Sequence, residues 1–404
     1  MTDAEIRPIG LDDDFDAQMD LSQRAFGIYS EQQATSWLHV ARLRAGQGLF
    51  LGAFVDGAPA GAAMLHDMRQ YWLGQPVKMG GVASVKVAPE HRGRGIGRTL
   101  MTELLNLIAE RGYPLSALYP ATMPIYRSLG WELAGARHSF SIPARALRGL
   151  IEPDKAARGG GAGHQDVPIR QAAPADVATV IGVMAASHLA ARDAGPLTWD
   201  EGPAAQWLGR KDLYSYLAGD DGFAAYRWAA GGGLWVERVH ARTPETLRAL
   251  WSVIASHSST TDKVNGLISP HDPFWWLTRE RDATITHRSM WMLRVVDAPA
   301  AIAARGFPPR VSVSVPLEIH DQSRPANSGR WQLTVADGTG ALIPNGGGSS
   351  PESLTLGPRG VAALYAGIPV GRLRLAGLAS GGTRESDAAL DTAFAATPFV
   401  LDDF

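Results

Sequence analysis

Three glycines and three arginines close behind a short apolar alternation are the residues of this chain that most clearly promise chemistry. The stretch reads Val85-Lys86-Val87-Ala88-Pro89-Glu90-His91-Arg92-Gly93-Arg94-Gly95-Ile96-Gly97-Arg98. Val85 and Val87 alternate around Lys86, which is strand patterning, and Leu100, Met101, Leu104, Leu105 and Ile108 then fall on one helical face. The order is strand, glycine-rich loop, helix. Glycine lacks a Cβ, so such a loop turns sharply and lets its backbone approach a ligand. The first N–H groups of a helix have no partner within it, and with the helix dipole they form an anion site suited to a pyrophosphate. Arg92 and Arg94 add charge and paired donors for phosphate.

Gly93-Arg94-Gly95-Ile96-Gly97 is not the G-x-G-x-x-G of dinucleotide folds, and no Gly-Lys-Ser/Thr follows to make a Walker loop. Arg92-x-x-Gly95-x-Gly97 behind V-x-P instead resembles the acetyl-CoA signature of the GNAT acetyltransferases. The resemblance implies acetyl-CoA as co-substrate. Its pyrophosphate would rest on the amides from Gly93 to Arg98, and its pantetheine arm would run along Val85, Lys86 and Val87. Taken alone, the residues also allow a tight turn with its arginines in water.

A second cluster, Ala121-Thr122-Met123-Pro124-Ile125-Tyr126-Arg127-Ser128-Leu129-Gly130-Trp131, reads as a short helix stopped by Gly130. Its Tyr-x-x-x-Gly-Trp pattern resembles the second GNAT signature, which implies Tyr126 as the acid that protonates the leaving thiolate. A phenol with a pKa of roughly 10 is protonated at neutral pH and suited to that task. The other reading of Tyr126 is a helical tyrosine packed on the sheet.

The elements that must position these residues follow in order. Glu5–Ile9 reads as a strand, and 12–26 and 31–44 as helices, the first opened by acidic residues and the second carrying Trp37, Leu38 and Ala41 on one side. Residues 49–55 and 60–68 read as a hairpin about Asp56-Gly57, 77–87 as the next strand and 115–118 as a short one. Lys155 to Gln165, rich in glycine, reads as a linker. The pattern then restarts: Ile169-Arg170-Gln171-Ala172-Ala173-Pro174-Ala175-Asp176 echoes Ile6-Arg7-Pro8-Ile9-Gly10-Leu11-Asp12-Asp13. A strand at 235–239 leads through Ala241-Arg242-Thr243-Pro244-Glu245 into a helix bearing Leu247, Leu250, Trp251 and Ile254. Here the loop has no glycine, and Thr243-Pro244 is an N-cap and first-turn pair. We expect a second acetyltransferase-like domain without the cradle, or else an unrelated α/β unit. From Asp297 onward, strands at 311–315 and 331–335 mix with helices at 359–365 and 386–394, an α+β pattern loosely similar to the sterol-carrier-protein fold.

Composition sets the bounds. The 404 residues are enough for two or three domains, and 45% hydrophobic with 19% charged content is that of a globular protein. A net charge of −2 without a basic run argues against nucleic acid. There is no cysteine, hence no disulfide or thiolate nucleophile, and the 11 histidines form no ligand motif, so no metal is expected. No apolar run is long enough to span a membrane and the first residues lack a signal pattern, so no membrane partner and a cytoplasmic location are expected.

The last residues, Thr397-Pro398-Phe399-Val400-Leu401-Asp402-Asp403-Phe404, are apolar and finish on an aromatic, which suggests docking rather than fraying. Two tandem acetyltransferase-like domains, the second degenerate, followed by a sterol-carrier-like domain resemble the Eis (enhanced intracellular survival) family over essentially the whole chain. The expected fold is α/β and α+β, divided as 1–155, 156–296 and 297–404. The resemblance implies acetylation of aminoglycoside amines, a homohexamer, and a C-terminal carboxylate, here that of Phe404, as the base opposite Tyr126. Asp402 and Asp403 are expected to attract a polycationic substrate, or else to form a solvated acidic tail. Trp37 is expected to wall the substrate cleft, or else to be core. The rivals are an acetyltransferase for polyamine, peptide or protein lysine amines, and a non-catalytic protein that binds an apolar ligand or acyl-CoA.

Overall fold

The computed structural model describes residues 4–148, 167–278, 281–346 and 351–403. The first part of the chain forms β1 (Glu5–Pro8), α1 (Phe15–Phe26), α2 (Glu31–Gly46), β2 (Phe50–Val55), β3 (Ala58–Trp72), β4 (Gln75–Val87), α3 (Ile96–Glu110), β5 (Leu115–Leu118), α4 (Pro124–Ser128) and β6 (Glu132–Pro143). The helix expected from Asp12 begins later, because the Asp14 side chain accepts the amides of Asp16 and Ala17 and caps it. Ser30 and Gln33 form a capping box at the start of α2. The expected linker from Lys155 to Gln165 lies outside the described residues.

The second part forms β7 (Arg170–Gln171), α5 (Val177–Ala191), β8 (Ala194–Leu197), α6 (Glu201–Leu208), β9 (Leu213–Ala218), β10 (Gly222–Trp228), β11 (Leu234–Ala241), α7 (Pro244–Ala255), β12 (Lys263–Ile268), α8 (Phe274–Leu277) and β13 (Thr284–Val295). The sequence echo between the two halves has a physical meaning. Arg7 forks onto Asp13 at 2.7 and 2.9 Å, and Arg170 onto Asp176 at 2.7 and 2.8 Å. In each case the same carboxylate also accepts a turn amide, that of Gly10 or Ala173. Residues 174–191 correct one expectation, because they are apolar enough over 18 residues to pass for a membrane span. The helix α5 itself has 15 residues, about 22 Å at 1.5 Å per residue, short of a bilayer core of about 30 Å. It buries Val180, Val183 and Met184 against its own domain.

The two halves share one sheet. Among the described residues its order is β1-β2-β3-β4-β5-β13-β6-β12-β11-β10-β9-β7, with β8 on the far end of β3. The strand that follows β5 in space is therefore β13, from the second half, paired through Leu115↔Val295 to Leu118↔Met292. In return β6 leaves the first half to pair with β12 at Lys263↔Pro143 through Ile268↔His138. Each half is completed by a strand of the other, so the sheet runs across the division proposed at 155/156.

The third part forms α9 (Ala298–Ala304), β14 (Val313–Ile319), β15 (Gly329–Ala336), β16 (Thr339–Pro344), β17 (Leu354–Leu356), α10 (Pro358–Tyr365), α11 (Val370–Leu375), β18 (Ala379–Gly381) and α12 (Arg384–Ala393). Its sheet runs β16-β15-β14-β17-β18. Its core continues into the first sheet. Trp72, Phe307, Tyr365 and Phe394 surround the buried guanidinium of Arg305, and Arg294 of β13 binds Asp321 at 2.6 and 2.8 Å with both side chains fully buried.

Candidate active site

The strand pattern at Val85–Val87 folds into the open end of β4. On one side β4 pairs with β3 as far as Gly61↔Val87. On the other its parallel pairing with β5 ends at Val82↔Leu118. From Ala83 to Val87 one main-chain edge has no strand partner among the described residues. A bulge opposite Ala62–Met64, with Ser84 at φ 56°, sharpens the twist at this point. An unpaired edge of this kind accepts an extended amide-bearing ligand as a further strand would be accepted.

The loop leads directly into α3. Gly95 stands at its N-cap with φ 85°, and no side chain caps the helix. That left-handed backbone suits glycine, and the amides of Ile96 and Gly97 are left for an anion, while that of Arg98 donates to the Gly95 carbonyl at 3.0 Å. Arg92 donates to the Val87 carbonyl at 3.3 Å, and Arg98 reaches Ser128 Oγ of α4 at 2.8 Å. A cavity of about 580 Å³ is lined by Arg92, Gly93, Gly95, Gly97 and Arg98 together with Pro124, Ile125 and Ser128 of α4. In the second half the equivalent helix α7 is closed: the Thr243 hydroxyl accepts the Thr246 amide at 3.1 Å. The side chain fills the position where the first half leaves room for a ligand.

Tyr126 lies on α4, 5% exposed, in the core cluster with Leu100, Met101 and Trp131. Burial pushes its phenol above the usual range, so it carries its proton throughout the neutral range. Lys86 points away from the cradle. Its ammonium nitrogen lies 2.6 Å from Ser22 Oγ on α1, 5.0 Å from the Trp37 ring centroid and 5.6 Å from that of Phe50. Burial lowers its pKa to about 7. Trp37 is half-buried, edge-on to Phe50 and under this amine.

The tail crosses to the same region. Phe399 bridges to Ala136, and Val400 donates to the Ala136 carbonyl at 3.3 Å. Asp402 and Asp403, expected to attract a polycationic substrate or else to form a solvated acidic tail, are both ion-paired. Asp402 pairs with Arg238 and accepts from Trp199 Nε1 at 3.1 Å, and Asp403 pairs with Arg137. Both carboxylates do line a cleft of about 420 Å³, with Arg44, Asp67, Arg69, Lys78 and Asp200. That cleft shares Pro203 and Trp207 with a wider one of about 1350 Å³ between α2 and α6. Phe404 lies outside the described residues. Tyr119, Arg137, Trp199 and Arg238, which hold the tail, have no signature in the sequence. No group of three or more potential metal ligands occurs among the described residues.

Comparison with known proteins agrees with this architecture. Sequence profiles described as "Acetyltransferase (GNAT) domain" match residues 5–134 and 192–295, and one described as "Sterol carrier protein domain" matches 298–401. A crystal structure of a GCN5-related N-acetyltransferase from Kribbella flavida superposes with a TM-score of 0.92 at 41% identity, covering 100% of this chain and 98% of that one. An uncharacterized N-acetyltransferase of Streptomyces coelicolor is 30% identical, over 76% of this chain and 75% of its own. The N-acetyltransferase Eis of Mycobacterium tuberculosis is 29% identical, over 82% and 83% respectively. With two GNAT domains followed by a sterol-carrier domain, the chain belongs to the GCN5-related N-acetyltransferases of the Eis family.

Proposed function

We propose that this enzyme moves the acetyl group of acetyl-CoA directly to a primary amine of an aminoglycoside-like polycationic small molecule. The observation that carries the reading is the free edge of β4 from Ala83 to Val87, running into the uncapped start of α3 with the Tyr126 helix across the same cavity. The pantetheine arm bonds to that edge and the pyrophosphate to the amides beyond it. The acceptor nitrogen attacks the thioester carbon, the C–S bond breaks, and Tyr126 gives its proton to the leaving sulfur. The acceptor's proton goes to the carboxylate of Phe404, ionised at neutral pH because such groups titrate near roughly 3.5. With no cysteine in the chain, no thiol ester of the enzyme is needed.

One observation favours a second reading of the acceptor. The charges of Asp402 and Asp403 are matched by Arg238 and Arg137, while Arg44, Arg69 and Lys78 outnumber Asp67 and Asp200 in the same cleft. A less cationic amine, such as a peptide or protein lysine, fits that balance better than a polycation does. The apolar-ligand reading has little support, since the apolar cavity in the third part holds only about 20 Å³. The test is CoA release, followed with a thiol reagent, against aminoglycosides, polyamines and lysine peptides, in wild type and after deletion of Phe404. Turnover of aminoglycosides supports the first reading, and turnover of lysine peptides alone supports the second. A homohexamer is part of the proposal, and light scattering on the eluted protein tests it.

A further inference from the structure

The helix that carries Tyr126 is too short to hold itself. α4 has 5 residues, little more than one turn, and a helix of that length is unstable without contacts around it. Its aim therefore depends on what grips it. From the cradle, Arg98 donates to Ser128 at 2.8 Å, and Gly97 lies so close that a Cβ there would stand 3.3 Å from Ile125 Cδ1. The other grip comes from the third part of the chain. Arg127, next to Tyr126, donates to Glu132 Oε1 from Nη2 at 2.8 Å and from Nε at 3.1 Å. Arg359 of α10 donates from Nε to the second oxygen, Oε2, at 2.6 Å. Between α4 and β6 the chain turns at Gly130, φ 94°. A Cβ there would meet Pro358 of α10 at 2.6 Å and the Arg294 guanidinium at 2.9 Å. The start of α10 thus abuts the end of α4 both by packing and by charge.

Neither element needs this arrangement for itself. Helix starts favour acidic side chains, yet Arg359 puts a cation in the first turn of α10. The Glu132 side chain is 6% exposed, and a buried carboxylate is costly unless it is paired. Burial alone would raise its pKa, but Arg127, the Leu133 amide and Arg359 hold it below the usual carboxylate range. It is ionised at neutral pH and bound at both oxygens. Charged hydrogen bonds of this kind fix orientation as well as distance. One carboxylate therefore ties the residue beside Tyr126 to a helix of the third part, 227 positions further along the chain.

We propose that Glu132 and Arg359 are positioning residues for the reaction: through them the third part of the chain braces α4 and holds the Tyr126 hydroxyl toward the leaving sulfur. The sterol-carrier-like part then has a role that needs no ligand of its own. This rests on the reading of Tyr126 as the acid, and the experiment separates the two.

The experiment measures kcat and the acetyl-CoA KM with whichever amine of the panel wild type turns over fastest. The variants are Arg359→Met, Arg359→Lys, Glu132→Gln, Tyr126→Phe, and Tyr126→Phe combined with Arg359→Met. Melting temperatures serve as the fold control, and Arg359→Met is the milder variant because it leaves Glu132 paired with Arg127. Displacing a reacting group by about 1 Å can cost on the order of a hundredfold. We therefore expect Arg359→Met to lose roughly tenfold in kcat with the acetyl-CoA KM little changed. Arg359→Lys should recover part of the loss, and Glu132→Gln should lose more than Arg359→Met. The double variant should be no slower than Tyr126→Phe alone, because a brace without its hydroxyl has nothing to aim. A slow Tyr126→Phe beside wild-type kcat in Arg359→Met overturns the brace and leaves the acid standing. Losses that multiply in the double variant overturn it too, since they mark an effect that does not pass through Tyr126. A Tyr126→Phe enzyme as fast as wild type overturns the acid reading, and the brace with it. So does a wild type that turns over no amine, since the brace then serves no reaction.

Discussion

The amine of Lys86 and the hydroxyl of Ser22 lie 2.6 Å apart, joining the strand that carries the cradle to the first helix over it. The Trp37 ring covers the same nitrogen, so α1, α2 and β4 meet on one buried amine. Desolvation holds this lysine at a pKa of about 7 instead of 10.5. Below about pH 7 it is charged in both folded and unfolded chains, and folding bears the whole cost of burying it. Between about pH 7 and 10.5 the folded chain sheds the proton while the unfolded chain keeps it, so stability rises with pH across that window. Lys86→Met removes the dependence. The variant should gain on wild type by on the order of 3 kcal/mol more near pH 6 than near pH 9.5, measured by urea unfolding. Equal gains at both ends would show that the amine is solvated rather than buried.

Gly95 and Thr243 give opposite predictions for equivalent helix starts. Gly95→Val forces a β-branched residue into left-handed backbone at φ 85°. Acetyl-CoA affinity, measured by calorimetry, should fall by roughly tenfold or more as the amides lose their arrangement. Thr243→Ala removes a cap, costs about 1 kcal/mol of stability, and should leave acetyl-CoA affinity untouched. Equal loss of affinity in both would mean that the second half also binds the cofactor.

Tyr126→Phe removes the proposed acid but keeps the ring in its core. Since burial holds the phenol protonated well beyond neutrality, the wild-type rate should show no decline from this group through the neutral range. The variant should lose roughly 10²-fold in kcat with the acetyl-CoA KM little changed, which steady-state rates across pH will read. A kcat equal to wild type at every pH would assign the proton to another donor.

Asp321→Asn breaks the pair that joins β13 to the third part and strands the fully buried Arg294. Removing one partner of such a pair costs about 3–5 kcal/mol. Thermal denaturation should show a large loss, with acetyl-CoA still stabilising whatever remains folded.

The strand, glycine loop and helix of the first half were legible because their requirement is local: glycines where the backbone turns left-handed, and a helix face immediately after. The Arg7–Asp13 echo at Arg170–Asp176 was legible for the same reason, each being closed within six residues. The fate of the Lys86 side chain was not, since alternation gives its face but not what covers it from α1 and α2. The pairing of Arg238 with Asp402 was illegible. Arg238 and Asp402 are 164 positions apart, and nothing in either neighbourhood marks the pairing. The exchange of β6 and β13 was hidden likewise, because strand order is decided by which buried faces meet rather than by local pattern. Strands β8 and β10 escaped the reading because their burial runs are short and continuous.

The most direct measurement of the central claim is the mass of the acceptor after incubation with acetyl-CoA and wild-type enzyme, beside the Gly95→Val enzyme. The account predicts an amine carrying one or more added acetyl groups with wild type, and a greatly reduced yield when the first-half cradle is strained. An unmodified amine across the whole panel, with acetyl-CoA bound in the first-half cradle, would contradict it.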